Sequence, residues 1–231
     1  MRLFAIAAAA LLAVVATARA DEYMFSLSWE PSFCASHQDK TECRALKPDA
    51  YDANHLVLHG LWPQSGQYCG VSQDIVTLDQ NNSGWSKMPP VPVSDSTRAR
   101  MNTLFPGVVS YLDRHEWYKH GTCSGLTPDG YFNLAMDLVE QGNALAVGKA
   151  ITANVGKSVA VDDLCGALTQ DFGSAFQKAA AIVQQGGALS EVRFALRDTG
   201  KPLALDTDHL SAARKPMSCS GKVKVTAVSG R

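Results

Sequence analysis

Six cysteines constrain this 231-residue chain more than any other feature, because of what precedes them. Residues 1–20, MRLFAIAAAALLAVVATARA, carry one arginine, then a run rich in Ala, Leu and Val, then Ala18-Arg19-Ala20 ahead of the acidic pair Asp21-Glu22. That is the layout of a secretory leader with a small-residue cleavage site, and its apolar run is short for a membrane span. The expectation is an exported domain, residues 21–231, periplasmic or extracellular and free of the membrane once the leader is removed. Both compartments are oxidising, so Cys34, Cys43, Cys69, Cys123, Cys165 and Cys219 read as disulfide candidates. Spacing alone does not choose among their pairings. With no C-x-x-C pair and no finger-like spacing to histidine, it does not suggest a structural zinc.

The 21 Lys and Arg are outnumbered by 22 Asp and Glu, and two of the basic residues, Arg2 and Arg19, lie in the leader. A chain built to coat nucleic acid would be basic; a polyanion handled by this one must be gripped locally. The stretch from Tyr23 to Trp29 alternates apolar with small polar residues and reads as a strand stopped at Glu30-Pro31. His55 to His59 reads as a second strand, ended by Gly60. From Tyr68 to Val93, Gly, Asn, Ser and Pro accumulate, and this segment is expected to be mostly irregular.

Ser94 to Thr97 offers helix caps, and Met101, Leu104, Phe105, Val108, Val109 and Leu112 recur at helical spacing, with Pro106 implying a kink or break. A second helix is expected after Thr127-Pro-Asp129 and a third over 161–181. Glu191 to Leu196 and Lys222 to Thr226 alternate as strands. Helices in the middle and strands towards both ends predict an α+β fold. Neither an internal repeat nor a dividing linker is visible, so residues 21–231 are expected to form one domain.

Two short stretches carry chemistry. In HEWYKHGTC, on an α-helical wheel with steps of about 100°, Lys119 lies about 40°, Glu116 about 100° and His120 about 140° from His115. The four polar groups share one broad face and Trp117 and Tyr118 point away from it. The metalloprotease pattern H-E-x-x-H puts its imidazoles four apart so that both meet one ion; here they are five apart, and the wheel sends them in different directions. Acid-base or anion-binding chemistry therefore fits better than a metal. The second stretch, Leu58-His-Gly-Leu-Trp-Pro-Gln64, places His59 at a strand end beside a flat Trp62. Together, three histidines, Glu116 and Lys119 make a plausible phosphate site: imidazoles move protons and cations bear developing negative charge.

The segments LVLHGLWPQ, Leu56 to Gln64, and HEWYKHGTC, His115 to Cys123, closely resemble the two active-site motifs of the ribonuclease T2 family. The leader, cysteine number, chain length and the run from Leu27 to Cys34 are similar as well. The resemblance implies a single α+β domain with a central, mainly antiparallel sheet flanked by helices and stapled by disulfides. It implies a metal-independent, cofactor-free endoribonuclease of low base specificity, acting on single-stranded RNA and not on DNA, and expected to work as a monomer. His59 would protonate the leaving 5′-oxygen, and His120 would take the proton of the attacking 2′-hydroxyl. Glu116 and Lys119 would stabilise the phosphorane and His115 would bind phosphate, giving a 2′,3′-cyclic phosphate and then a 3′-phosphate.

Trp62 and Tyr68 match base-binding positions of the family more loosely. Some relatives carry an acidic residue where this chain has Gln64, and plant relatives a glutamine where it has Ser28. The resemblance also implies the pairings Cys34 with Cys43, Cys69 with Cys123 and Cys165 with Cys219. His37, His55 and His209 lack comparable neighbours and read as structural or surface residues. Two rivals remain: a catalytically idle RNA-binding or effector protein on the same scaffold, which the acidic balance disfavours, and a metal-dependent hydrolase, which the histidine spacing disfavours.

Overall fold

The computed structural model describes residues 20–81 and 84–228; all but the last residue of the expected leader, and Asn82-Ser83 of the loop, lie outside the described residues. Six strands, β1 (Glu22–Ser28), β2 (Val57–Pro63), β3 (Ser158–Ala160), β4 (Ala180–Gln185), β5 (Ala188–Arg197) and β6 (Lys222–Lys224), form one sheet. β1 lies between β2 and β5, antiparallel to both, and β4 pairs antiparallel with β5. β3 and β6 pair antiparallel, and β6 meets β5 in parallel at a single position, Ala188 opposite Lys224. The fold is α+β with a mainly antiparallel sheet.

β1 shows why the sheet holds. Tyr23, Phe25 and Leu27 on one face are buried, and the helix Pro128–Ala144 packs against that face through Phe132, Ala135, Met136 and Val139. Thr127 caps this helix by accepting from the Gly130 N–H, and Pro128 occupies its first turn, where a missing N–H costs nothing. Each large side chain fully buried here contributes roughly 1.5–3 kcal/mol. The helix also fixes the approach to β2: Asn143 accepts from the Leu56 N–H at 3.0 Å and donates to the Leu56 carbonyl at 2.8 Å, while the Tyr131 hydroxyl donates to the Leu61 carbonyl.

Disulfides join Cys34 to Cys43, Cys69 to Cys123 and Cys165 to Cys219. The last two each close a separation of 54 residues, which by chain entropy restricts the unfolded state by about 4 kcal/mol apiece. Among the described residues no helix is long and apolar enough to cross a membrane.

Several boundaries differ from expectation. The 68–93 stretch contains the helix Gln73–Gln80, because its Gly and Pro residues fall outside that span. The helix after Ser94 breaks before Pro106, ending at Leu104. The helix expected over 161–181 ends at Phe172, where Gly173 adopts φ +59; Ala180 and Ala181 belong to β4 instead. β2 does not stop at Gly60. It runs on to Pro63, since Leu61, Trp62 and Pro63 pair with Phe25, Met24 and Tyr23.

Candidate active site

β2 aims His59 through an irregularity. Ser26 pairs with Gly60 and Leu27 with Leu58, leaving His59 as the extra residue of a β-bulge. A bulge breaks the alternation of faces and re-aims the inserted side chain. Leu58 enters the core, and His59 reaches across β1 to β5, where its Nδ1 donates to Glu191 Oε1 at 2.6 Å. Adjacent strands stand about 4.8 Å apart, so β2 and β5 are roughly 10 Å apart. The small side chains of Ser26 and Ser28 on the intervening strand leave room for this bond. Glu191 Oε2 accepts from Arg193 Nε on the same strand.

The second stretch is not an α-helix throughout. After the turn Leu112–His115 the chain widens into a π-helical turn, Glu116–His120, and then tightens into a 3₁₀ turn, Gly121–Cys123. The Gly121 N–H reaches the Glu116 carbonyl, a step of five residues. This corrects the wheel. In a π turn, residues five apart lie nearly above one another, and the His115 and His120 ring centroids are 5.9 Å apart. The two imidazoles therefore do not diverge as expected: His115, Glu116 and His120 offer ligand atoms within 4.8 Å of one another.

Two further contacts lock the turn to β2. The Trp62 indole N–H donates to Glu116 Oε2 at 2.8 Å. Gly60 makes the approach possible, since a Cβ there would lie 2.2 Å from both Glu116 Oε2 and Trp62 Nε1. Trp62 is partly buried, its ring centroid 5.1 Å from that of His59 and 5.7 Å from that of His120. It therefore touches both catalytic candidates. Glu116 Oε1 and His120 Nδ1 are buried and, among the described residues, have no hydrogen-bond partner.

On the far side, Asp79 accepts hydrogen bonds from His115 Nδ1 at 2.8 Å and from the Tyr68 hydroxyl at 2.6 Å. Tyr68, held at φ +56, donates its backbone N–H to the Lys119 carbonyl, and the adjacent Cys69–Cys123 disulfide ties its loop to the end of the turn. Trp85 lies against the His115 ring. Lys119 makes no ion pair among the described residues, and its charge acts on Asp79, Glu116 and His120. A cleft of about 420 Å³ opens beside His59, lined by Ser28, Phe33, Trp85 and Glu191 among others.

The electrostatics differ sharply between the two imidazoles. Burial alone would lower the His59 pKa, but the Glu191 hydrogen bond and the Glu116 and Glu191 charges outweigh it and leave it raised. Burial, with His115 and Lys119 adding to it, pushes His120 down to about 3. Burial raises the Glu116 carboxyl against the pull of His59 and His115. Glu191 resists its own burial and is held down to about 2 by His59 and Arg193. Carboxylates thus favour the proton on His59, while burial and neighbouring positive charge disfavour it on His120.

Contacts thus join His59, Trp62, His115, Glu116, Lys119, His120 and Tyr68 into one cluster, of which His59 lines the cleft. Asp79, Glu191 and Arg193 join them although sequence reasoning passed them over. Asp79 sits in a stretch read as irregular, and Glu191 is 132 residues from its partner in a strand with no motif of its own. The other histidines are placed differently. His209 is buried between Asp206 and Thr199, His55 stacks on Tyr51, and His37 stacks on Phe33 at the edge of the cleft.

A model of the ribonuclease T2 family matches residues 20–214. Ribonuclease I of Escherichia coli is 26% identical over 229 residues, covering 86% of this chain and 83% of that protein. Ribonuclease Rh of Rhizopus niveus is 32% identical over 193 residues, 74% of this chain and 75% of that one. Among solved structures, the self-incompatibility-associated SF11-RNase of Nicotiana alata superposes with a TM-score of 0.56 at 17% identity, over 90% of this chain and 99% of that one, a likeness of fold.

Proposed function

The chain belongs to the ribonuclease T2 family and is an endoribonuclease of that type; we propose that it cleaves single-stranded RNA without a metal, by attack of the ribose 2′-hydroxyl on the adjacent phosphorus. His120, neutral over the physiological range, takes the 2′-hydroxyl proton. His59, kept protonated, gives a proton to the departing 5′-oxygen. The products are a 2′,3′-cyclic phosphate, later hydrolysed to a 3′-phosphate, and a free 5′-hydroxyl. Because the nucleophile belongs to the substrate, DNA is not cleaved.

The observation that carries this reading is the pair of imidazoles in contact with one indole, biased to opposite protonation states. A general acid and a general base must hold complementary states at the same pH. Glu116 supports the charged intermediate from a fixed position: its Oε2 accepts from Trp62, and burial raises its carboxyl. Lys119 adds positive charge, and His115, oriented by Asp79, binds the phosphate.

Trp62 and Tyr68 are each engaged by a carboxylate. Any stacking with a base uses the remaining face of Trp62, which carries no hydrogen-bond code, so low base specificity belongs to the same proposal. The three disulfides are consistent with a further part of it, export through removal of the leader into an oxidising compartment.

The test is to incubate the mature protein with RNA in excess EDTA and identify the new termini. Cyclic phosphates lost in both His59→Ala and His120→Ala are the expected outcome. Activity retained in either variant removes that histidine from its role, and activity abolished by EDTA alone removes the metal-free mechanism.

A further inference from the structure

We propose that Glu191 is the positioning residue of the general acid: from β5 its carboxylate holds His59 with the proton on Nδ1, leaving Nε2 to carry the transferable proton to the scissile phosphate. The inference rests on the acid role given to His59 above. Its ground is geometric. The Nδ1 to Oε1 distance is 2.6 Å, and the Glu191 side chain is 9% exposed whereas that of His59 is 33% exposed. The carboxylate therefore lies deeper than the ring it holds.

Glu191 is itself held from its other oxygen. Arg193 Nε donates to Oε2, and the Arg193 guanidinium stands 5.5 Å from the centre of the Trp62 ring. Carboxylate, guanidinium and indole form a chain back to β2, so the His59 ring is fixed by the strand on each side of β1. A structural ion pair would need only Glu191 and Arg193. The bulge at His59 and the small side chains of Ser26 and Ser28 serve the bond from the imidazole to the carboxylate.

Other charges also face His59. Glu116 and His120 act on it from the π turn, and Glu30, His37, Lys40 and Glu42 line the same cleft. Of all these, Glu191 alone is bonded to the ring among the described residues. Glu191 and Arg193 push the His59 proton affinity in opposite directions, the carboxylate upwards and the guanidinium downwards.

The experiment combines nitrogen-15 NMR titration of His59 with pH profiles of cleavage, in wild type, Glu191→Gln and Arg193→Gln. Two substrates are compared: a dinucleotide, and a nucleoside 3′-aryl phosphate whose leaving group departs without protonation. In Glu191→Gln the His59 pKa and the alkaline limb of kcat/KM should move to lower pH. Dinucleotide kcat should fall about 10- to 100-fold with little change in KM, within the roughly 10²–10⁴-fold that a placed acid supplies. The aryl ester should be cleaved at nearly the wild-type rate. In Arg193→Gln the limb should move to higher pH.

An unmoved His59 titration in both variants, or an equal loss on both substrates in Glu191→Gln, overturns the proposal. If Glu191→Gln does not fold, Arg193→Gln and Glu191→Asp carry the same test. The underlying assignment fails separately: His59→Asn impaired equally on both substrates would remove the acid role itself, whatever Glu191 does.

Discussion

The indole N–H of Trp62 is donated to Glu116 Oε2 over 2.8 Å, so a tryptophan that reads as a stacking surface also holds a buried carboxyl in place. Glu116 is 1% exposed, and its Oε1 has no hydrogen-bond partner among the described residues. Trp62→Phe keeps a ring between the two imidazoles and leaves the carboxyl without that partner. Leaving such a group unsatisfied costs about 1–3 kcal/mol. Stability in urea should drop by that amount, and kcat should fall about tenfold or more while KM changes less. A variant with wild-type kcat would show that the bond has no part in catalysis.

The pH profile of the free enzyme follows from the two imidazoles. In the proposed mechanism His120 must be neutral and His59 protonated. With His120 pushed down to about 3 and His59 raised above its ordinary value, kcat/KM should stay high well below pH 6.5 and decline only as pH rises through the His59 titration. An acid limb centred near 6.5 in kcat/KM would contradict the burial assigned to His120.

Glu30, 5% exposed, predicts a stability change unconnected with catalysis. Burial, with Glu42 and Asp52 adding repulsion, raises its carboxyl to about 8. A raised carboxyl binds its proton in the folded state at pH values where the unfolded chain has lost it. The contribution is therefore intact below about pH 4.5 and is lost as pH rises to about 8. Glu30→Gln, which stays neutral, should match wild type near pH 4 and exceed it at pH 9 by about 2–4 kcal/mol in urea unfolding. Equal stabilities at pH 9 would mean that Glu30 is ionised in the folded protein.

What the sequence disclosed, and what it hid, divides along physical lines. Local rules worked. Alternation located β1, and the caps at Ser94 and Thr127 marked two helix starts, because each depends on neighbouring residues alone. Gly60 was misleading because it was read as a terminator. Its missing side chain instead admits Glu116, a contact between residues 56 apart that no local pattern encodes. Gly186 and Gly187, both at positive φ between β4 and β5, were a legible hairpin signal that the helix expected over 161–181 obscured. The motif histidines were visible as residue types, but their carboxylate partners, Asp79 and Glu191, were not: chain distance separates them and only the fold brings them together. The wheel failed because it assumed an α-helical step across a π turn.

That failure has a measurable consequence. With His115, Glu116 and His120 offering donor atoms within 4.8 Å of one another, added zinc should bind in the place proposed for the phosphate. Imidazole and carboxylate are ordinary zinc ligands, and three of them leave a position open. Half-inhibition should fall at about 10–100 µM zinc, equivalent to roughly 6 kcal/mol of binding. It should be competitive with RNA and reversed by EDTA. Asp79 orients His115 through Nδ1, so Asp79→Asn should weaken zinc about 10- to 100-fold, as loss of a ligand's supporting hydrogen bond does. Inhibition unchanged in that variant would place the zinc elsewhere on the protein.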